Sequence, residues 1–155
     1  MIILGIDPGY DRCGFAVLDA GNRAQPQLKN FGIIKTSKAD SFEVRLAEVA
    51  DDFQQLLETH KPSKVSIEDL FFAQNVTTAL KVSQVRGVLV YLAHKAKCIV
   101  VEPKPVEIKQ AFCGDGKADK HQMQHMAKTM FGLVQNPKID DAADAIGAAF
   151  WAVNQ

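Results

Sequence analysis

Four carboxylates in this chain of 155 residues occupy positions where a charge must be solvated, paired or bound to a metal ion. Asp7 ends an apolar run at the N-terminus, and Glu68 lies near the end of a segment in which apolar and polar residues alternate. Both patterns predict an acid at the C-terminal end of a strand, where burying an isolated charge is prohibitive. Asp141 and Asp144 are three residues apart at the start of a predicted helix, so they share one face of it.

Convergence of the four side chains would require positive charge between them. Each pair of unit charges at ~4 Å costs several kcal/mol at an effective dielectric of about 20. Two divalent cations would neutralise four carboxylates, and ligands that are all oxygen favour Mg²⁺ or Mn²⁺ over zinc. Two such ions about 4 Å apart suit attack of water on a phosphodiester, since one activates the nucleophile and the other stabilises the leaving oxygen.

Each acid also has a simpler explanation when taken alone. Asp7 is placed to cap the turn at Pro8-Gly9 by accepting hydrogen bonds from the backbone amides that follow. Acids in the first turn of a helix compensate the helix dipole, which would account for one or two of Asp140, Asp141 and Asp144. Helix capping does not account for acids at two strand ends as well.

Hydrophobic periodicity predicts the elements that must position these acids. Strands are predicted at residues 2–6, 14–18, 28–35, 64–70 and 98–101, and helices at 42–58, 75–95, 106–112, 119–131 and 140–153. This order predicts one α/β domain over residues 1–155, with a mixed five-stranded sheet and helices on both faces. The first and fourth strands can be neighbours in such a sheet, about 4.8 Å apart, which would bring Asp7 and Glu68 together.

The predicted helix at 75–95 is apolar around much of its circumference. Covering the sheet uses one side of such a helix. The other side is explained equally well by contact with a partner subunit or by burial within the same domain.

Composition excludes some classes of protein. The 18 basic residues balance the 18 acidic ones, so net charge gives no indication of a nucleic-acid partner, although lysines outnumber acids between residues 95 and 128. Three cysteines without CxxC spacing predict reduced thiols and no structural zinc. With no run long enough to span a bilayer and no signal peptide, we expect a cytoplasmic protein without membrane contact.

Four motifs in order extend this interpretation over almost the whole chain. They are Leu4-Gly5-Ile6-Asp7-Pro8-Gly9, then Ile67-Glu68 followed by Phe71 and Asn75, then Gln84-Val85-Arg86-Gly87, and finally Asp141-Ala142-Ala143-Asp144-Ala145. In this order they resemble the RuvC family of Holliday-junction resolvases, which belongs to the ribonuclease H-like superfamily. The first motif alone is less specific, because actin-like ATPases begin similarly.

The resemblance implies a ribonuclease H-like fold and a dimeric, Mg²⁺-dependent endonuclease that makes two symmetric nicks in a four-way DNA junction. It implies that Asp7, Glu68, Asp141 and Asp144 are the catalytic acids, which bind two Mg²⁺ per site, with Mn²⁺ as a possible substitute. Asp140 is an additional neighbouring acid, and the family spacing favours Asp141 and Asp144 over it. A branch-migration helicase is the further partner that the family implies.

The resemblance also assigns roles to two lysines and an aromatic pair. Lys109 and Lys120 match lysines that the family uses near the scissile phosphate, where they bind the backbone and stabilise developing charge. Phe71 matches an aromatic residue that stacks on an unpaired base, and the adjacent Phe72 is an alternative for that role. Core packing is expected for at least one of the two.

Three other functions are alternatives to junction resolution. An actin-like ATPase would use the turn after Asp7 to hold a nucleotide phosphate, but that fold needs two such domains. A junction-binding protein that does not cleave would lack one of the acids, and none is missing. The third alternative is the function of another ribonuclease H-like nuclease. The Phe71/Phe72 segment and the long apolar helix argue only weakly against it.

Overall fold

The sheet and helices follow the predicted order in a computed structural model that describes residues 1–70, 76–135, 137 and 140–155. The strands are β1 (Ile2–Asp7), β2 (Arg12–Asp19), β3 (Gln27–Lys35), β4 (Lys64–Ile67) and β5 (Ile99–Val101). The helices are α1 (Phe42–His60), α2 (Val76–Lys95), α3 (Pro105–Cys113), α4 (Lys120–Phe131) and α5 (Asp140–Trp151), and a 3₁₀ turn covers Ala152–Asn154.

The five strands form one mixed sheet in the order β3-β2-β1-β4-β5. β2 is antiparallel to both β1 and β3, whereas β4 is parallel to β1 and β5 is parallel to β4. The mixed five-stranded sheet and the pairing of the first and fourth strands are therefore confirmed. The fourth strand is shorter than predicted, because Asp69 turns away from β1 and its backbone N–H donates to the Pro103 carbonyl at 2.8 Å.

Alternation along β1 decides which way Asp7 faces. Leu4 and Ile6 are fully buried in the core formed with α1 and α2, while Ile3 is fully buried in the core formed with α3, α4 and α5. Gly5 and Asp7 share the face of Ile3. The carboxylate of Asp7 thus belongs to the α5 side of the sheet.

Two glycines allow α5 to lie unusually close to the sheet. A Cβ built at Gly5 would overlap the backbone carbonyl of Ala145, and one built at Gly14 would overlap the carbonyl of Asp141. The face of α5 toward the strands is mostly alanine, which matches this short separation. The first turn of α5 is consequently held against the strand pair that ends at Asp7.

The other end of α5 is fixed by a buried lysine. Lys64 on β4 donates from Nζ to the carbonyl oxygens of Ala152 at 3.0 Å and Gln155 at 2.6 Å. A cation at these carbonyls compensates the negative end of the helix dipole, which places a positive charge at one end of α5 and the acids at the other.

No helix among the described residues is long and apolar enough to cross a membrane. The cysteines Cys13, Cys98 and Cys113 are all free, in agreement with the prediction of reduced thiols.

Replacing Gly5 by alanine tests the close approach of α5. The new methyl group meets backbone rather than a movable side chain, so Gly5→Ala is expected to lower the free energy of unfolding by about 3 kcal/mol. Gly21→Ala in an exposed loop is the matched control and should change it by less than about 0.5 kcal/mol. Denaturant unfolding followed by circular dichroism measures both, and equal stability of the two variants would contradict this packing.

Candidate metal centre

The first two acids come from neighbouring strand ends. Asp7 is the last residue of β1, and Glu68 follows β4 directly, with its backbone N–H donating to the Ile6 carbonyl at 3.0 Å. Along β4, Val65 and Ile67 enter the core on the α1 side. Lys64, Ser66 and Glu68 therefore alternate onto the α5 face, which is also the face of Asp7.

The other two acids lie in the first two turns of α5, Asp141 in the first and Asp144 in the second. Gly14 pairs with Asp7 in the sheet register, and the Asp141 backbone packs directly on Gly14. Asp144 is one helical turn further, on the same face as Asp141. Contact between Gly14 and α5 is thus what brings the second pair of acids over the end of β1.

The pKa values of these acids reflect burial and mutual repulsion. Burial, followed by the charges of Glu68, Asp144 and Asp141, raises the pKa of Asp7 well above its usual value, against a lowering by Arg12. A carboxylate surrounded by others keeps its proton at pH values where an exposed aspartate has lost it.

Glu68 and Asp144 show the same behaviour. Burial and, to a smaller extent, the charge of Asp144 raise the pKa of Glu68 to about 7 against a lowering by Lys109. Burial raises the pKa of Asp144 to about 6, although Lys109 and, more weakly, Lys120 lower it. The structure therefore brings Asp7, Glu68 and Asp144 into one electrostatic cluster, with Lys109 beside it.

The cluster has the donor chemistry of a site for a hard divalent cation. All four side chains offer carboxylate oxygens, and Asp141 Oδ2 is buried without a hydrogen-bond partner. No three His, Cys, Asp or Glu side chains of the described residues are already arranged to hold a metal ion. Binding would thus require the carboxylates to turn towards the ion.

Arg12 is a site residue that the sequence analysis missed. Its Nε lies 2.9 Å from Asp141 Oδ2, an ion pair whose alignment is too poor for a hydrogen bond. Arg12 is on the same face of β2 as Gly14, so the close approach of α5 creates this pair. Strand alternation is the one sequence signal for it, and it becomes useful only once the position of α5 is known.

Asp140 is engaged by two side chains of α4. Lys120 Nζ lies 2.9 Å from Asp140 Oδ2, and Gln124 Nε2 donates to Asp140 Oδ1 at 2.7 Å. Lys120 is itself three-quarters exposed. Asp140 thus has two polar partners, whereas Asp141 has the ion pair with Arg12 and no hydrogen bond to its Oδ2, which favours Asp141 as the acid available to a metal.

The turn after Asp7 is anchored on α1. Arg45 forms an ion pair with Asp11, and its Nε donates to Thr36 Oγ1 at 3.0 Å. Thr36 Oγ1 in turn donates to the Tyr10 carbonyl at 2.5 Å.

A pocket of about 210 Å³ lies at the ends of β1 and β4. It is lined by Asp7, Pro8, Glu68, Asp69, Leu70 and Pro105. The predicted aromatic residues Phe71 and Phe72 lie outside the described residues.

Comparison with known proteins assigns the family. The family model described as crossover junction endodeoxyribonuclease RuvC matches residues 3–151. This chain belongs to the RuvC family. The relationship suggested by the four motifs is therefore confirmed.

Named relatives of this RuvC family member match almost its full length. Crossover junction endodeoxyribonuclease RuvC of Petrotoga mobilis is 42% identical over 151 residues, which cover 97% of this chain and 91% of that protein. The Brevibacillus brevis protein of the same name is 44% identical over 150 residues, covering 96% and 89%. Thermus thermophilus RuvC, solved in complex with a Holliday junction substrate, aligns with a TM-score of 0.89 at 28% identity, covering 97% and 92%. The ribonuclease H-like fold is confirmed.

Stability should depend on pH because of these acids. A raised pKa in the folded state stabilises the fold below the unfolded pKa, and this stabilisation is lost as pH rises through the folded value. The metal-free protein should therefore lose stability from about pH 4 to about 7, where Glu68 and Asp144 ionise. At about pH 8, Glu68→Gln should be more stable than the unsubstituted protein by on the order of 2 kcal/mol.

Denaturant unfolding in a chelator, across this pH range, measures the effect. Glu48→Gln, on the exposed side of α1, is the control and should follow the pH profile of the unsubstituted protein. A Glu68→Gln profile that also coincides with it would show that Glu68 is not buried among like charges.

Proposed function

We propose that this chain is a structure-selective endonuclease that resolves four-way DNA junctions by paired symmetric nicks. Membership of the RuvC family supports the activity, since the named relatives are crossover junction endodeoxyribonucleases. The structural observation that carries the proposal is the meeting of Asp7, Glu68 and Asp144 at one end of the sheet, because it supplies the acids that phosphodiester hydrolysis needs.

We infer that Asp7, Glu68, Asp141 and Asp144 hold two Mg²⁺ ions, with Mn²⁺ able to replace them. Mutual repulsion of the carboxylates favours a divalent cation, and an all-oxygen donor set favours Mg²⁺ over zinc. When bound, the ions activate water and stabilise the leaving oxygen of the phosphodiester. The four side chains that would hold the ions come from the end of β1, the residue after β4 and the start of α5.

The basic residues complete the proposed site. Lys109 is close enough to the cluster to lower the pKa values of Glu68 and Asp144, so its ammonium is suited to stabilising charge on the scissile phosphate. Lys120 is exposed and free to exchange Asp140 for a DNA phosphate. Phe71, or Phe72 beside it, remains our proposal for stacking on an unpaired base.

A second copy of the chain is the proposed partner of α2. Val85, Leu89 and Ala93 bury one side of this helix. On another side Tyr91 is 61% exposed, beside a groove of about 520 Å³ that includes Phe42 and Leu46 of α1. Two sites related by a two-fold axis fit a junction with approximate two-fold symmetry.

Membership of the family supports two further proposals. We propose that the protein acts in the cytoplasm and that a branch-migration helicase is a further partner.

Loss of one acid should abolish cleavage but not binding. Asp7→Asn removes a charge that holds the metal, so Mg²⁺-dependent nicking of a synthetic four-way junction should fall more than about 100-fold, with junction affinity retained or increased. Asp51→Asn, exposed on α1, is the control and should cleave normally. Gel assays with junction, duplex and RNA–DNA hybrid measure both activity and selectivity. Retained cleavage by Asp7→Asn would refute the metal site, and preference for the hybrid would favour another ribonuclease H-like activity.

The proposed dimer depends on the exposed side of α2. Tyr91→Asp places a charge in the groove and should weaken self-association about 10-fold or more. Val44→Asp, exposed on α1 outside the lining of the groove, is the control. Light scattering after size exclusion measures the mass across a dilution series. An identical dimer in both variants would place the interface elsewhere.

A further inference from the structure

Arg86 of α2 joins two carboxylates that come from different strand ends. Its Nη2 lies 3.3 Å from Asp69 Oδ1 and also pairs with Glu102 Oε2. The Arg86 side chain is only 20% exposed, and its Nε is buried without a hydrogen-bond partner in the described structure. An unsatisfied buried N–H opposes this position of the guanidinium. The two ion pairs therefore supply the stabilisation that holds the guanidinium in place.

One partner of Arg86, Asp69, is directly connected to the site, and the other, Glu102, follows the neighbouring strand β5. Asp69 follows Glu68, and Glu102 is the first residue after β5. The Asp69 backbone N–H donates to the Pro103 carbonyl at 2.8 Å, which ties the ends of β4 and β5 together. Asp69 also lines the pocket that contains Asp7 and Glu68. Arg86 therefore fastens to α2 the part of the backbone from which Glu68 projects.

Arg86 acts on Glu68 through position rather than through its own charge. Burial, Asp144 and Lys109 determine the pKa shift of Glu68, and Arg86 is not among its causes. The charge of Arg86 is used instead on Asp69 and Glu102, which would otherwise add negative charge beside the acidic cluster. A planar guanidinium with several N–H donors can bind two carboxylates at once in fixed directions. A lysine ammonium on a flexible chain does not fix the orientation of either carboxylate.

We propose that Arg86 is a positioning residue of the metal site, which keeps Glu68 directed towards Asp7 and Asp144 by holding Asp69 and Glu102. The Gln84-Val85-Arg86-Gly87 motif acquires a physical role in this way. The proposal rests on the proposed function, because it concerns the same four acids. It adds a residue that acts through Asp69 and Glu102 rather than as a metal ligand.

Metal binding in the absence of DNA tests the proposal. Arg86→Gln should weaken Mg²⁺ binding about 10-fold or more, as loss of a group that orients metal ligands typically does. Isothermal titration of the metal-free full chain with Mg²⁺ measures this directly. The Mg²⁺ concentration at half-maximal junction cleavage should rise by the same factor. Arg86→Lys should lie between Arg86→Gln and the unsubstituted protein.

Controls separate positioning from simple loss of stability. Arg23→Gln removes an exposed arginine from the loop between β2 and β3 and should leave Mg²⁺ binding unchanged. Asp69→Asn should weaken Mg²⁺ binding by itself and add little in the Arg86→Gln background, because both changes break the same contact. If Arg86→Gln does not fold, Arg86→Lys and Asp69→Asn carry the test.

The outcomes distinguish this proposal from the function on which it rests. Folded Arg86→Gln protein with unchanged Mg²⁺ affinity, even at a lower unfolding temperature, would reduce Arg86 to a structural residue and overturn the proposal. Failure of both the unsubstituted protein and Arg23→Gln to bind Mg²⁺ and cut a junction would overturn the proposed function, and the role of Arg86 with it.

Discussion

Repulsion among half-buried carboxylates is the constraint on which the site depends. Partial burial raises the pKa values of Asp7, Glu68 and Asp144, and the charges of neighbouring acids raise them further, so such an arrangement opposes folding at neutral pH. A fold retains it only when the rest of the structure compensates. Here the compensation comes from tight packing on both faces of the sheet and from cations around the cluster.

Small residues and a few cations provide that compensation. Gly5 and Gly14 let α5 rest on β1 and β2, so its first turn meets the end of β1. Lys64 secures the opposite end of the same helix. Arg12 and Lys109 reduce the negative potential without filling the site, since Arg12 pairs with Asp141 and Lys109 acts on Glu68 and Asp144. The acids are thus kept in place, and the proposed metal ions would take the place of these partners.

Features set by local pattern were predictable from the sequence. The order of strands and helices identified β1 and β4 as neighbours, and strand alternation then places both acids on one face. The end of β4 was predicted too late, because its alternating pattern continues to Leu70 while the backbone of Asp69 turns to Pro103. Apolar and polar patterns do not report where a strand loses its hydrogen-bonding partner.

Contacts between side chains that are distant in the chain could not be predicted from the sequence. The pairing of Arg12 with Asp141 depends on the depth of α5 on the sheet, and the contacts of Asp140 depend on where α4 lies. Arg86 belongs to a motif that indicated the family, yet its partners Asp69 and Glu102 come from two other elements. Such pairs follow from tertiary packing, which periodicity does not encode.

Location of bound metal tests the central claim most directly. Crystals soaked in Mn²⁺ and measured for anomalous scattering should show two peaks between the carboxylates of Asp7, Glu68, Asp141 and Asp144. The contradictory result is Mn²⁺ bound to Asp140 or to other surface acids, with no peak at the end of β1.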